Sequence, residues 1–312
     1  MDLLHTKQEL QVALDQARPC GARTGGARIA LVPTMGALHA GHAALIEAAA
    51  HDCDLVVVSV FVNPTQFAAG EDLARYPRDL DGDAAFAAAA GADLLFAPSV
   101  EELYGRAAEP LSQTTMAVGD LGRVWEGALR PSHFAGVALV VTKLLLLVAP
   151  DRAYFGEKDY QQLCVIRQLV RDLDIPAEIV GVPTVREEDG LALSSRNRYL
   201  DARHREQATV IFKALSAARA AAAAGERDAR RLEAAAVAVL QASGSGYESD
   251  LEIGYCALVD PDTLVPVAVL DRPARLLISV TLAGVHLIDN ADIAPAGDKR
   301  GTVPILSSTG AA

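Results

Sequence analysis

Cysteine is scarce in this chain: four residues in 312 (Cys20, Cys53, Cys164, Cys256), all far apart and none in a C-x-x-C pair. That spacing argues against a zinc ribbon or a disulfide framework and makes a reducing cytoplasm the default location. Positive charge is short as well. Twenty-eight Lys and Arg face 40 Asp and Glu, a net charge of −12. The whole-molecule field therefore repels nucleic acid and anionic membranes, and an anionic ligand must be held by a local cluster of donors. The opening MDLLHTKQEL lacks the basic-then-apolar pattern of a secretory signal. The greasiest run, Val137 to Val148, contains Lys143 and falls short of the ~20 residues that span a bilayer, so it reads as a buried helix. Glycine-rich phosphate loops are missing too. Gly21 and Gly26 have the spacing that opens one, but Ala27-Arg28 stand where Lys-Ser/Thr is needed, and the segment precedes its strand. No G-x-G-x-x-G follows a strand either. What remains is an ordinary globular mix, 51% hydrophobic and 22% charged, long enough for about two domains.

Strands and helices alternate through the first part of the chain. Thr6 and Glu9 have capping-box spacing and predict a helix through Ala17. Apolar runs predict strands at Ile29–Val32, Leu55–Val62, Leu94–Phe96, Ala153–Phe155 and Glu178–Val182. Helices are predicted between them at His39–Ala50, Asp79–Ala90, Phe134–Val148 and Asp159–Leu173. This is the pattern of an α/β parallel sheet with helices on both faces. After Pro183 the texture changes. Ala-rich helices are expected at Ala202–Ala224 and Asp228–Gln241, followed by the spacer Ser243–Gly246. Strands are expected at Leu251–Val259, Leu264–Val269, Arg275–Thr281 and Val285–Leu287. That spacing suggests a smaller C-terminal α+β domain with an antiparallel sheet. The division expected is 1–185, 186–291 and a loose Pro/Gly/Ser/Ala tail over 292–312.

Four segments carry residue types suited to chemistry. Met35-Gly36-Ala37-Leu38-His39-Ala40-Gly41-His42 follows the first predicted strand and opens a helix, where free N–H groups attract anions. His39 and His42 are three apart and can share a helical face, with Gly41 leaving room for a ligand. Such a pair can donate to phosphate oxygens, or it can be two ordinary surface histidines; no nearby Cys, Asp or Glu completes a metal site. Gly156-Glu157-Lys158-Asp159 again joins a strand to a helix. A Lys at a helix start opposes the macrodipole unless it meets a phosphate, or unless Glu157 or Asp159 pairs with it. Leu193-Ser194-Ser195-Arg196 offers two hydroxyls and a guanidinium, a pyrophosphate grip or a capped turn. Gln66, after the most buried strand, can read a small polar substrate or satisfy its own loop.

In combination these segments are far more specific. PTMGALHAGH, VFVNPTQF, YPRD (Tyr76 to Asp79), RPSHFAGV (Arg130 to Val137), FGEKDYQQL and REEDGLALSSRNRYL occur in this order and spacing. The chain, from about residue 28 to 290, resembles the pantothenate synthetases (pantoate–β-alanine ligases). These are Rossmann-like nucleotidyltransferases with a HIGH-type signature, here His39-Ala40-Gly41-His42. The resemblance implies condensation of pantoate with β-alanine, driven by ATP and magnesium through an enzyme-bound pantoyl adenylate, in a homodimer.

Carried over by position, the ATP contacts fall on Met35 to His42, Gly156 to Asp159, Val185 and Leu193 to Arg196. His42 matches the proton donor, and Gln66 and Gln162 match the pantoate-holding residues, with Gln66 also near β-alanine. The catalytic set implied is His39, His42, Lys158, Ser194, Ser195 and Arg196. Gly82 interrupts Asp81-Gly82-Asp83 where some relatives have consecutive acids, so no protein ligand for magnesium is assigned and the ion is expected mainly on the ATP phosphates. Trp125 stands where an aliphatic residue is common. A carboxylate attacking the α-phosphorus is repelled until charge is neutralised, which the cations and histidines would do. The C-terminal domain would then act as a lid that keeps water from the acyl adenylate. Another small-molecule nucleotidyltransferase shares the His-x-Gly-His logic but has no need of the two glutamines. A tRNA-binding relative is disfavoured by the charge of −12.

Overall fold

The structure, a computed structural model, describes residues 1–18, 26–68, 70–105, 111–242 and 250–298. Cys20, the Gly21 end of the phosphate-loop decoy, the Ser243–Gly246 spacer and the tail beyond 298 lie outside them. The chain separates into two compact units, Met1–Glu157 with Gln162–Val182, and Lys158–Gln161 with Pro183–Ala312.

The first unit begins with β1 (Asp2–Leu4), α1 (Lys7–Ala17), β2 (Ile29–Thr34), α2 (Ala40–Asp52) and β3 (Leu55–Val60). It continues with α3 (Leu80–Ala89), β4 (Leu94–Phe96), α4 (Val100–Tyr104), α5 (Glu126–Leu129) and α6 (His133–Val148). Strand β5 (Arg152–Gly156), helix α7 (Tyr160–Asp172) and strand β6 (Glu178–Val182) complete the alternation. The strands form one parallel sheet in the order β1-β4-β3-β2-β5-β6. Alternating side chains serve two cores. Ile29, Leu31, Val57, Phe96 and Phe155 pack with Leu10 and Leu14 of α1 and the apolar stripe of α6. Ala30, Val32, Val56, Val58 and Tyr154 pack with Leu45, Ile46 and Ala49 of α2. Burial on both faces is why these strands read as continuous β-branched runs. The chain leaves β2 toward β3 on one side, while β5 lies on the other. The carboxyl ends of β2 and β5 therefore flank a topological switch point, where sheets of this kind bind ligands.

The second unit stacks α8 (Ala202–Ala208), α9 (Val210–Ala223) and α10 (Ala229–Ala242) with an antiparallel sheet β7-β8-β9. Its strands are β7 (Leu251–Val259), β8 (Ala274–Leu282) and β9 (Val285–Ile293). Leu276, Ile278, Val280 and Leu282 of β8 point one way into a core shared with Ile211, Leu215 and Leu232.

Four expectations are corrected. The helix expected over Ala202–Ala224 is two helices. Thr209 ends one and starts the other, its Oγ1 donating to Glu206 O at 2.8 Å. Leu264–Val269 is no strand but two isolated bridges, because Leu264 sits at φ +57° and Pro266 has no N–H to donate. Strand β9 continues through Asp292 and Ile293, where composition suggests a tail has begun. The helix expected from Asp159 is preceded by a tight turn over Glu157–Asp159 and starts at Tyr160.

Candidate active site

The loop after β2 is shaped by two consecutive left-handed residues, Gly36 (φ +82°) and Ala37 (φ +53°). Gly36 also has no room for a side chain: a Cβ there would stand 2.7 Å from Asp83 Oδ2 and 3.1 Å from Val60 Cγ1. Asp83, buried on the first turns of α3, accepts Ala37 N–H at 3.0 Å and Leu38 N–H at 2.8 Å. One carboxylate thus holds the turn from below. Removing it takes the side-chain acceptor from two buried donors, so Asp83→Ala should cost about 2–3 kcal/mol in denaturant unfolding. A loss below about 0.5 kcal/mol, the scatter of surface substitutions, would show that water or a shifted loop satisfies these amides instead.

His39 is the N-cap of α2, in extended backbone, and His42 is the third residue of the helix. His39 Nδ1 accepts Gly41 N–H at 3.1 Å, and His42 Nδ1 accepts His39 N–H at 3.2 Å. The rings lie 4.1 Å apart, tilted by 44°. This reciprocal cap has a chemical consequence. An Nδ1 that accepts carries no proton, so both neutral imidazoles hold theirs on Nε2. Capping fixes the tautomer, and the tautomer makes Nε2–H a donor.

Gln66 ends a tight turn, Pro64–Gln66, after β3 and is 7% exposed. Its amide orientation follows from its neighbours. Asn63 Oδ1 accepts from Tyr104 Oη (2.7 Å), Thr65 Oγ1 (2.9 Å) and Thr65 N (3.3 Å), so the Asn63 nitrogen must point the other way. Asn63 Nδ2 then donates to Gln66 Oε1 at 3.2 Å and to Gly136 O at 3.1 Å. That leaves Gln66 Nε2 directed at Met35 Sδ, 2.7 Å away. Burial pushes the Tyr104 phenol above its usual pKa, which keeps it a donor. The Gln66 carbonyl is gripped from α6 and the turn before it, by His133 Nδ1 at 3.1 Å and Arg130 Nη2 at 3.4 Å. Arg130 makes a two-pronged pair with Glu71 (3.0 and 2.6 Å). Burial opposes ionisation of Glu71, but the Arg130 hydrogen bonds and charge prevail and hold its carboxyl below the ordinary range. Gly136 is required beneath this turn, since a Cβ there would stand 2.4 Å from Thr65 O.

The remaining predicted residues divide between the units. Gly156 closes β5, Glu157 opens the next turn and Gln162 lies in the first turn of α7, all in the first unit. Lys158 and Asp159 group with the second, their side chains paired at 3.5 Å. There the buried Val185 accepts Leu193 N–H at 3.0 Å across a small hairpin bridged at Arg186 and Ala192. Ser194 caps the short helix Ser195–Tyr199, which contains Arg196, by accepting Arg196 N–H at 3.3 Å. The hairpin is anchored by Arg186, which meets Asp289 of β9 at 2.6 and 2.9 Å, both side chains buried. The first unit thus gathers Met35–His42 with Gln66. The second gathers the Lys158 turn, Val185 and Leu193–Arg196.

Several residues of this architecture escaped sequence reasoning. Asp83 and Asn63 stood inside segments already singled out, but their partners are set by tertiary structure. Among the described residues no three His, Cys, Asp or Glu cluster as metal ligands. Both Asp83 oxygens are taken by backbone amides, and Asp79 caps α3 by accepting Gly82 N–H at 3.0 Å.

A doubly wound parallel sheet with a clamped, histidine-bearing strand–turn–helix at its switch point defines the class: a Rossmann-like α/β protein. The sequence profile of the pantoate-beta-alanine ligase family matches residues 2–292. The pantothenate synthetase of Rubrobacter xylanophilus is 52% identical over 273 residues, 86% of this chain and 92% of that protein. The crystal structure of the pantothenate synthetase from Thermus thermophilus superposes with a TM-score of 0.85 at 48% identity, covering 95% of this chain and all of that one. The Francisella tularensis pantoate-beta-alanine ligase, solved with beta-gamma ATP and beta-alanine, gives a TM-score of 0.73 at 30% identity over 93% of this chain and 97% of that one. The chain belongs to the pantoate–β-alanine ligase family.

Proposed function

We propose that this chain condenses pantoate with β-alanine, converting ATP to AMP and pyrophosphate through a pantoyl adenylate. The observation that carries this reading is the Met35–His42 loop at the switch point, whose two histidines keep Nε2–H as donor while Nδ1 holds the helix start. In the first step a pantoate carboxylate oxygen attacks the α-phosphorus, and the bond to the β-phosphate oxygen breaks, its electron pair leaving with pyrophosphate. His39 and His42 donate to phosphate oxygens on which charge builds, the kind of preorganised donor that contributes most in a water-poor site. Lys158 and Arg196 neutralise the polyphosphate, and the hydroxyls of Ser194 and Ser195 add donors. The other nucleotide contacts lie along Met35–Ala40, Gly41, Gly156, Glu157, Asp159, Val185 and Leu193.

Gln66 and Gln162 hold pantoate. Both follow strands adjacent to β2, and the NH2 group of Gln66 faces inward on a thioether, a weak acceptor that an oxygen-rich acid readily replaces. In the second step the β-alanine nitrogen attacks the acyl carbon. The bond to the AMP oxygen breaks with its electron pair, and the amine proton is lost to solvent. In this reading magnesium arrives on ATP, and no step is assigned to it. The chain acts as a cytoplasmic homodimer in the same reading, as its family resemblance implies. The test is direct. AMP should form from ATP only with pantoate and β-alanine together, and pantoate alone should drive exchange of labelled pyrophosphate into ATP. No exchange, with no ¹⁸O passing from the pantoate carboxylate to AMP, would exclude the adenylate.

A further inference from the structure

The second unit contains a buried polar assembly for which the reaction as described has no use. Asn290 of β9 (4% exposed) and Arg275 of β8 (5% exposed) are diagonal neighbours on adjacent strands, Arg275 standing directly opposite Asp292. Arg275 Nε donates to Asn290 Oδ1 at 2.6 Å, and Arg275 Nη1 donates to Asp292 Oδ1 at 2.5 Å. Because the amide oxygen accepts from Arg275, the amide nitrogen must face away from it. That nitrogen donates to the backbone carbonyl of Lys158 at 2.8 Å. The same guanidinium lies 4.1 Å from the ring centre of Tyr160, two residues further on. The chain is therefore held on both sides of Asp159, by the Lys158 carbonyl and by the Tyr160 ring, at a single 3-10 turn that precedes α7.

We propose that Asn290, oriented by Arg275, is a positioning residue for Lys158, fixing the turn from which the ammonium group reaches the ATP phosphates. The proposal rests on the phosphate-binding role of Lys158. Lysine carries a flexible four-carbon stem, so its ammonium is only as well placed as its backbone is, and small misplacements near a reacting phosphate are costly. An ordinary sheet core would fill these positions with apolar side chains. A buried amide whose polarity is set by an arginine and directed at a distant backbone carbonyl suits precise placement better than bulk stability.

Asn290→Asp separates the two roles, because the carboxylate still accepts from Arg275 but cannot donate to the Lys158 carbonyl. Single-turnover adenylate formation at varied ATP should lose about tenfold in kcat/KM, while β-alanine capture of preformed pantoyl adenylate changes less than about twofold. In a Lys158→Met background the same substitution should add less than about twofold, since its effect runs through Lys158. If Asn290→Asp fails to fold, Arg275→Lys serves. It keeps a cation opposite Asp292, loses the Nε donor that orients the amide, and should give the same adenylation-only loss. Unchanged adenylation in a folded variant overturns the proposal, as do equal losses in both half-reactions and both backgrounds. A Lys158→Met enzyme that adenylates at the parent rate removes the Lys158 reading itself, and this proposal with it.

Discussion

His42→Ala should slow adenylate formation by about 10²–10³-fold, the effect of deleting one preorganised donor to a charge-building oxygen. The substitution does two things. It removes the Nε2–H donor, and it removes the Nδ1 acceptor that holds His39 N–H at 3.2 Å. Loss of the second interaction is a helix-start effect worth about 1 kcal/mol of stability. The two are separable by measurement. Lost capping lowers the melting temperature and leaves the single-turnover rate of the folded enzyme nearly unchanged; a lost donor does the reverse. KM for ATP should move little, because the bond is made chiefly as charge develops. An unchanged single-turnover rate would make His42 only half of a helix cap.

Capping recurs at the site, and because a cap and a ligand donor draw on the same residue types, its motifs are ambiguous in the sequence. His39 and His42 were open to reading as ligand donors or as plain helix-start residues, and Ser194-Ser195-Arg196 as a phosphate grip or a capped turn. The structure gives both groups a capping role. Lys158 likewise pairs with Asp159. A cap uses one polar atom per side chain, so it neither establishes nor excludes a second role for the rest.

What was legible in the chain was local. The capping box of Thr6 and Glu9 is present, and strands Leu94–Phe96, Glu178–Val182 and Leu251–Val259 have the predicted bounds. Side chains buried on both faces leave an unmistakable run of Val, Ile and Leu. Alanine, by contrast, favours helix everywhere and marks no ends, so the break at Thr209 was invisible. β1 is three residues long, too short to show a period, and is placed by pairing with β4 and by burial of Leu4. The supports of the site are non-local by nature. Asp83 meets Ala37 and Leu38 from about 45 positions away, and Asn290 meets Lys158 from 132. No spacing rule reaches across such distances.

The largest effect is expected from the substrate. Pantoate lacking its 2-hydroxyl should react with kcat/KM lower by about 10⁴-fold, the discrimination of a site built to hydrogen-bond a hydroxyl and left with an unpaired buried group. The Gln66 amide suits that task. It is 7% exposed, its side-chain oxygen accepts from Asn63, and the backbone carbonyl of the same residue is pinned by His133 and Arg130, so the amide stands on a fixed base. Its nitrogen rests on Met35 Sδ, and a thioether is a poor substitute for a hydroxyl oxygen. Gln162, after the strand on the other side of β2 and less buried, is the second amide available. Replacing either by leucine should lower the rate with pantoate itself. Replacing the one that bonds the hydroxyl should also bring pantoate and its deoxy analogue to similar kcat/KM, because no donor remains to be orphaned. Comparing the two substrates in Gln66→Leu and Gln162→Leu therefore assigns the contact. If both variants keep the parent's discrimination, neither amide reads the hydroxyl, and selection must come from another part of the site.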